Sequence, residues 1–157
     1  MQALLLGDFP FAFAKRYRLP LPGLTPAATA LWHSENAMSF DVSVTQKQFY
    51  TRVAIAGSPG IDQLVALVHV LGLDSANWKH DAMLVDLRKV STRFTEAEQR
   101  TLGQAAAASL AHLRKVASVV PRDRVTRISE KAARREGTKV TVFDDEKEAL
   151  AWLQAKD

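Results

Sequence analysis

The segment Lys139-Val-Thr-Val-Phe-Asp-Asp-Glu-Lys-Glu-Ala-Leu-Ala-Trp-Leu153 limits what this chain can fold into more than any other. Side chains alternate along a strand, so Val140 and Val142 share one sheet face while Thr141 and Phe143 share the other. Asp144 and Asp145 then offer carboxylates to the unpaired N–H groups that open a helix. Ala149, Leu150 and Leu153 recur at helical spacing and form one apolar stripe. A strand that runs into an amphipathic helix with no loop to spare buries that stripe against its own sheet. The unit therefore predicts a layered α/β fold.

The remaining elements follow in order. Residues 40–45 and 49–56 alternate as strands, and Gln46-Lys47-Gln48 between them is short enough for a hairpin, which makes the pair antiparallel. Gly57-Ser58-Pro59-Gly60 breaks the pattern. Ile61, Leu64, Val65, Val68 and Leu71 mark one face of a helix that ends near Gly72. Residues 81–86 are an apolar run suited to a buried central strand. Thr95 and Glu98 form a capping box for a helix reaching about Leu113, with Leu102, Ala106, Leu110 and Leu113 on one face. Residues 116–120 read as a strand stopped by Pro121, and 123–136 as a helix stopped by Gly137. Strand–helix alternation implies parallel neighbours with right-handed crossovers. The expectation is a mixed, mainly parallel sheet of about five strands with four helices, on one or both faces.

At 157 residues the chain is long enough for one domain with its own core. It has no cysteine, which excludes disulfides, thiolate metal sites and cysteine nucleophiles. No apolar run approaches the ~18 residues of a membrane span, so an integral membrane protein is not expected. Lys15, Arg16 and Arg18 follow the apolar start instead of preceding it, and Asp8 interrupts it, which is not the order of a secretory signal. A cytoplasmic location is the expectation. Pro10, Pro20, Pro22 and Pro26 crowd a stretch without sustained periodicity. Residues 1–37 therefore read as an irregular N-terminal extension, partly extended and mobile, and 38–157 as the folded domain. A sharper alternative makes Met38 the natural start.

Three stretches carry a resemblance. They are Met83-Leu-Val-Asp-Leu-Arg88, Val116-Ala-Ser-Val-Val120 and, most closely, Val140 through Leu153. In order and spacing they resemble the central strand, next strand and closing strand–helix of the STAS-like domains, the SpoIIAA-like group, whose core is also described as similar to the CRAL-TRIO lipid-binding domain. The resemblance covers about residues 39–155. It implies a small bacterial cytoplasmic module that regulates through a protein partner and has no catalytic activity. It also implies that a serine or threonine just after the central strand is phosphorylated to switch partner binding. Here that position falls on Ser91 and Thr92, with Thr95 as the helix cap. The family's Asp-Ser pair is absent, since Leu87 and Arg88 follow Asp86. The plainer reading of Ser91, Thr92 and Thr95 is that they make the turn and cap the helix.

Asp86 at the end of a central strand, with Arg88 and Arg93 nearby, occupies the place where open α/β sheets hold ligands. The plain account is an acid that caps a loop and pairs with arginine. Residues 114–139 hold nine Lys/Arg against Asp123, Glu130 and Glu136, a surplus of nine minus three, or +6. Arg124, Arg127, Lys131 and Arg134 recur at helical spacing as a candidate anion-binding face. No aromatic interleaves them, so nucleic acid is not the expected partner and a solvated face is the plainer reading. His33, His69, His80 and His112 lack metal-ligand spacing, and no cofactor motif is present. The sequence thus supports a non-catalytic, protein-binding regulatory module. The first alternative is a carrier or sensor of an apolar, lipid-like ligand, with Ala105–Ala108 helping to open a cavity. The second is polyanion binding through the basic helix.

Overall fold

The computed structural model describes residues 40–156 and the backbone of Ala14–Tyr17. Its elements are β1 (Ala14–Tyr17), β2 (Phe40–Gln46), β3 (Thr51–Gly57), α1 (Ile61–Ser75), β4 (Ala82–Val90), α2 (Glu96–Leu110), β5 (Lys115–Val119), α3 (Ile128–Arg135), β6 (Val140–Phe143) and α4 (Glu146–Gln154). The strands lie side by side in chain order, β1 to β6. β1, β2 and β3 pair antiparallel, and β3 through β6 pair parallel. The five strands and four helices read from the folded region are present. β1 adds a sixth strand, pairing Ala14 with Thr45 and Tyr17 with Val42. Apart from that strand, the expected irregular extension and the Met38 start fall outside the described residues.

A right-handed crossover that always steps the same way along a sheet puts every crossover helix on the same face. α1, α2 and α3 accordingly share one face. Leu64, Leu67 and Leu71 of α1, Leu110 of α2 and Ala133 of α3 pack with Val42, Val53, Ile55, Met83, Val116 and Val140 in the larger core. α4 has no following strand and covers the other face, where Ala149 and Leu153 pack on Leu84, Ala117 and Val119. Val140 and Val142 are buried as the opening alternation requires, and Phe143 packs toward Trp152 with ring centroids 5.8 Å apart.

Boundaries shift where packing overrides pattern. Phe49 and Tyr50 belong to the hairpin turn, not to β3; the Lys47 N–H donates to the Tyr50 carbonyl at 2.8 Å. α1 continues past Gly72 to Ser75. Gly72 is a contact point instead of a stop, because a Cβ there would lie 2.5 Å from the Ser109 carbonyl oxygen. α2 ends at Leu110, and Leu113 is buried in the turn beyond it. The capping box of α2 is formed: Thr95 Oγ1 accepts the Glu98 N–H at 3.1 Å and the Glu98 carboxylate accepts the Thr95 N–H at 2.9 Å. Thr95→Ala should lower stability by about 1 kcal/mol, seen as a lower urea midpoint with an unchanged slope.

Candidate functional site

β4 is longer than its apolar run. It continues four residues past Asp86 to Val90, while its pairing with β5 stops at Asp86–Val119. Asp86 is therefore in mid-strand and not at the strand end that the sequence suggested. Pairing with β3 slips by one at this point: Ala54 faces Asp86 and Ala56 faces Lys89, so Leu87 and Arg88 together oppose Ile55. Such a bulge re-aims side chains. Here it folds Arg88 back, so that its backbone N–H and Nε both donate to Asp86 Oδ1, at 3.0 and 2.9 Å. Arg52 of β3 reaches the other oxygen at 2.5 Å, and Glu146 at the start of α4 binds both arginines, at 3.2 Å to Arg52 and 2.5 Å to Arg88.

Two arginines and two carboxylates thus close a charge-balanced network on the α4 face. Burial would raise the Asp86 carboxyl, but hydrogen bonds from Arg88 and the charges of Arg88 and Arg52 outweigh it and hold the group below the usual carboxylate range. The hydrogen bond to Asp86 likewise raises Arg88. A depressed carboxyl stabilises the fold above its unfolded value near 3.9, and that contribution is lost as pH falls from there through the folded value. Stability should consequently drop as pH falls below about 4, and this part of the drop should be missing from Asp86→Asn in urea unfolding followed into the acid range. Arg93 stands apart from the network and pairs instead with Asp123 at 3.1 Å, both side chains exposed.

The turn after β4 is tied to the turn after β3. The Ser91 N–H and Oγ both bond to the Gly57 carbonyl, at 2.8 and 3.2 Å. Ser91 Oγ also lies 2.6 Å from Ser58 Oγ. Ser91 has one hydroxyl proton, so when it serves Gly57 the donor of that second bond is Ser58. Thr92 Oγ1 donates to the Pro59 carbonyl at 2.7 Å. Ser91 is exposed, Thr92 half-buried, and Thr95 caps α2.

On the face covered by α1, α2 and α3 lies a cavity of about 380 Å³. Its floor is oily, with Ile55, Leu67, Met83, Val116 and Val140 among the lining side chains. Its position follows from the strand lengths. β5 gives way to Pro121 while β4 runs on, so Leu87 and Val90 line a gap that no neighbouring strand fills. Of the alanine run, only Ala106 lines the cavity.

The expected basic helix is broken in two. Arg122–Arg124 form a 3₁₀ turn, Arg127 has a left-handed backbone (φ 64°), and α3 starts only at Ile128. Pro121 and the half-buried Val125 pull this stretch onto the sheet's end, so Arg124 and Arg127 do not share a helix face with Lys131 and Arg134. Arg124 donates to the Val90 carbonyl, and Arg127 to Glu130 and the Val142 carbonyl. Arg134 donates to the Val140 carbonyl at 2.9 Å. Lys131 is exposed.

The described histidines tie elements together. His69 meets Ser109, His112 meets Ser75, and His80 Nε2 bonds the Lys47 carbonyl. Among the described residues no three His, Asp or Glu side chains group as a metal site, and no helix is long and apolar enough to cross a membrane. Sequence reasoning missed Arg52, Glu146 and Ser58. Arg52 carried a signal: it is the one charge in the otherwise apolar strand Thr51–Gly57. Glu146 and Ser58 carried none, being ordinary first-turn and loop residues.

A mixed sheet in sequential strand order, with three of the described helices on one face and one on the other, defines a small α/β domain. A family model described as SpoIIAA-like matches residues 50–154, and the chain belongs to that family. The crystal structure of an anti-sigma factor antagonist from Mycobacterium paratuberculosis superposes with a TM-score of 0.55 at 16% identity, over 74% of this chain and 96% of that one. A protein of the DUF3478 family with a SpoIIAA-like fold, from Shewanella loihica PV-4, covers 73% of this chain and 94% of its own at 17% identity, with a TM-score of 0.48. Among curated proteins, none matches this sequence.

Proposed function

We propose that this chain is a non-catalytic regulatory module that binds a protein partner through the turn 88–95 and the adjoining α2, with Ser91 as the switch. The observation that carries the reading is the position of the exposed Ser91 hydroxyl, which donates to the Gly57 carbonyl and accepts from Ser58. A phosphoryl group at Ser91 adds about −1.5 to −2 charge and removes the hydroxyl donor, so it breaks the side-chain tie to Gly57 and changes the surface a partner would meet. The fold shared with an anti-sigma factor antagonist supports the same reading. Thr92 is the less suitable acceptor, since its hydroxyl is half-buried against Pro59. The test is affinity capture from the source cell extract with the wild type, Ser91→Ala and Ser91→Asp. A protein held by the first two and released by the third is the expected result. Equal capture by all three sinks the switch.

The cavity favours a second reading, a carrier or sensor of an apolar ligand. Its volume lies within the range of small-molecule sites, and its floor is apolar. Native mass spectrometry of the purified chain should show a retained small molecule whose retention Ala106→Phe, which narrows the cavity, reduces. A clean apo mass counts against it. The polyanion reading has less support, since three of its four residues also donate to internal acceptors.

A further inference from the structure

Resting on the second reading, we propose that the cavity takes a free single-chain amphiphile with a carboxylate head, and that Arg124 holds the head. The cavity is chemically two-sided. Its floor is built of aliphatic side chains, and the most exposed of the lining residues are the polar Arg93, Asp123, Thr126 and Arg127, beside half-buried apolar ones such as Leu87 and Phe94. A ligand that matches both ends has a hydrocarbon tail and a polar head.

The cations of the rim are not equivalent. Arg93 is paired with Asp123 and Arg127 with Glu130. Arg124 pairs with no carboxylate among the described residues. It donates to the Val90 carbonyl, the group left without a β5 partner where β4 overruns its neighbour, and its Nε is buried with no acceptor. A half-buried arginine without a carboxylate partner is an unbalanced charge, and an ionised oxygen is the group that balances it best. A wholly apolar ligand would fill the floor and leave that charge unbalanced. A bare inorganic anion would satisfy the donor and leave the floor empty. A fatty carboxylate does both, with an arginine fork as its counter-charge.

Isothermal titration calorimetry of the full chain with dodecanoate, dodecanol and inorganic phosphate, all below micelle formation, tests the assignment. Dodecanoate should bind roughly tenfold or more tightly than dodecanol. Arg124→Gln should close that gap while leaving dodecanol binding as it was. Arg124→Lys, which keeps the charge and loses Nε, should recover only part of the gap, and it carries the test if Arg124→Gln does not fold. Equal binding of acid and alcohol overturns the head-group assignment and leaves the apolar-ligand reading standing. Phosphate binding as tight as dodecanoate overturns it as well, since the tail then adds nothing. Binding of none of the three removes both readings.

Discussion

Leu153→Ala should lower the unfolding free energy by about 3–5 kcal/mol, read as a large fall in the urea midpoint. Leu153 is fully buried, and among the described residues α4 is the only helix on its face of the sheet. The larger core can redistribute around a lost side chain, because α1, α2 and α3 all press on it. The smaller one has Leu84, Ala117, Val119 and Ala149 as fixed walls, and no second helix to slide inward. The space left by Leu153 stays empty, which puts the penalty toward the upper end of the usual range. Two further ties depend on the same helix. Lys115, only 4% exposed, donates to the Trp152 and Ala155 carbonyls, so its buried charge is balanced by the negative end of α4. Glu146 at the other end closes the Arg52–Asp86–Arg88 network. Loosening α4 weakens both, and Trp152, tilted against Phe143, should report it through its fluorescence. A loss below about 1 kcal/mol would show that α4 is an accessory to the sheet and not part of its core.

The closing unit was legible because strand period, cap and helix period follow one another there without a gap. Asp145 accepts the Lys147 N–H at 2.9 Å, and Ala149 and Leu153 are buried as their spacing requires. Asp144 departs from its expected role, pairing with Arg122 instead. Parallel pairing and right-handed crossovers were legible for the same reason, since local alternation and a chirality rule decide them, whereas the strictly sequential strand order was not. The candidate site was legible only in part. Asp86 and Arg88 were visible as residues, but the bulge that joins them arises from register with β3, which no local pattern encodes. The helix expected over residues 123–136 failed because charge spacing is a surface property. It runs on through Arg124 and Arg127, while the backbone there obeys Pro121 and the sheet's end. The cavity was foreseen as an alternative but for the wrong reason, since the overrun of β4 past β5 opens it and the alanine run contributes only Ala106.

Gly103→Leu should destabilise by about 2–3 kcal/mol through a contact the sequence does not announce. A Cβ at Gly103 would stand 2.3 Å from the Ser129 carbonyl oxygen and 2.8 Å from Ala132 Cβ. The obstacle is the backbone of α3, which no rotamer change moves aside. Even Gly103→Ala should lose stability, although alanine in a helix interior is intrinsically favoured over glycine by about 1 kcal/mol, because that gain is smaller than displacing a helix. Gly60→Ala offers the contrast: its Cβ would meet only the Gln63 side chain at 3.9 Å, so its cost should be limited to the N-cap preference for glycine over alanine, about 1 kcal/mol or less. α2 and α3 both contribute to the cavity wall, so the wedge acts on the site as well as on stability. Amide exchange distinguishes how the strain is relieved. If α3 yields as a unit, Ile128–Arg135 should exchange faster in Gly103→Ala while Met83 and Leu84 in β4 keep their protection. Uniform loss of protection across β4 and α3 would mean instead that the helix contact and the sheet unfold together, with no independent motion of α3 available to admit a ligand.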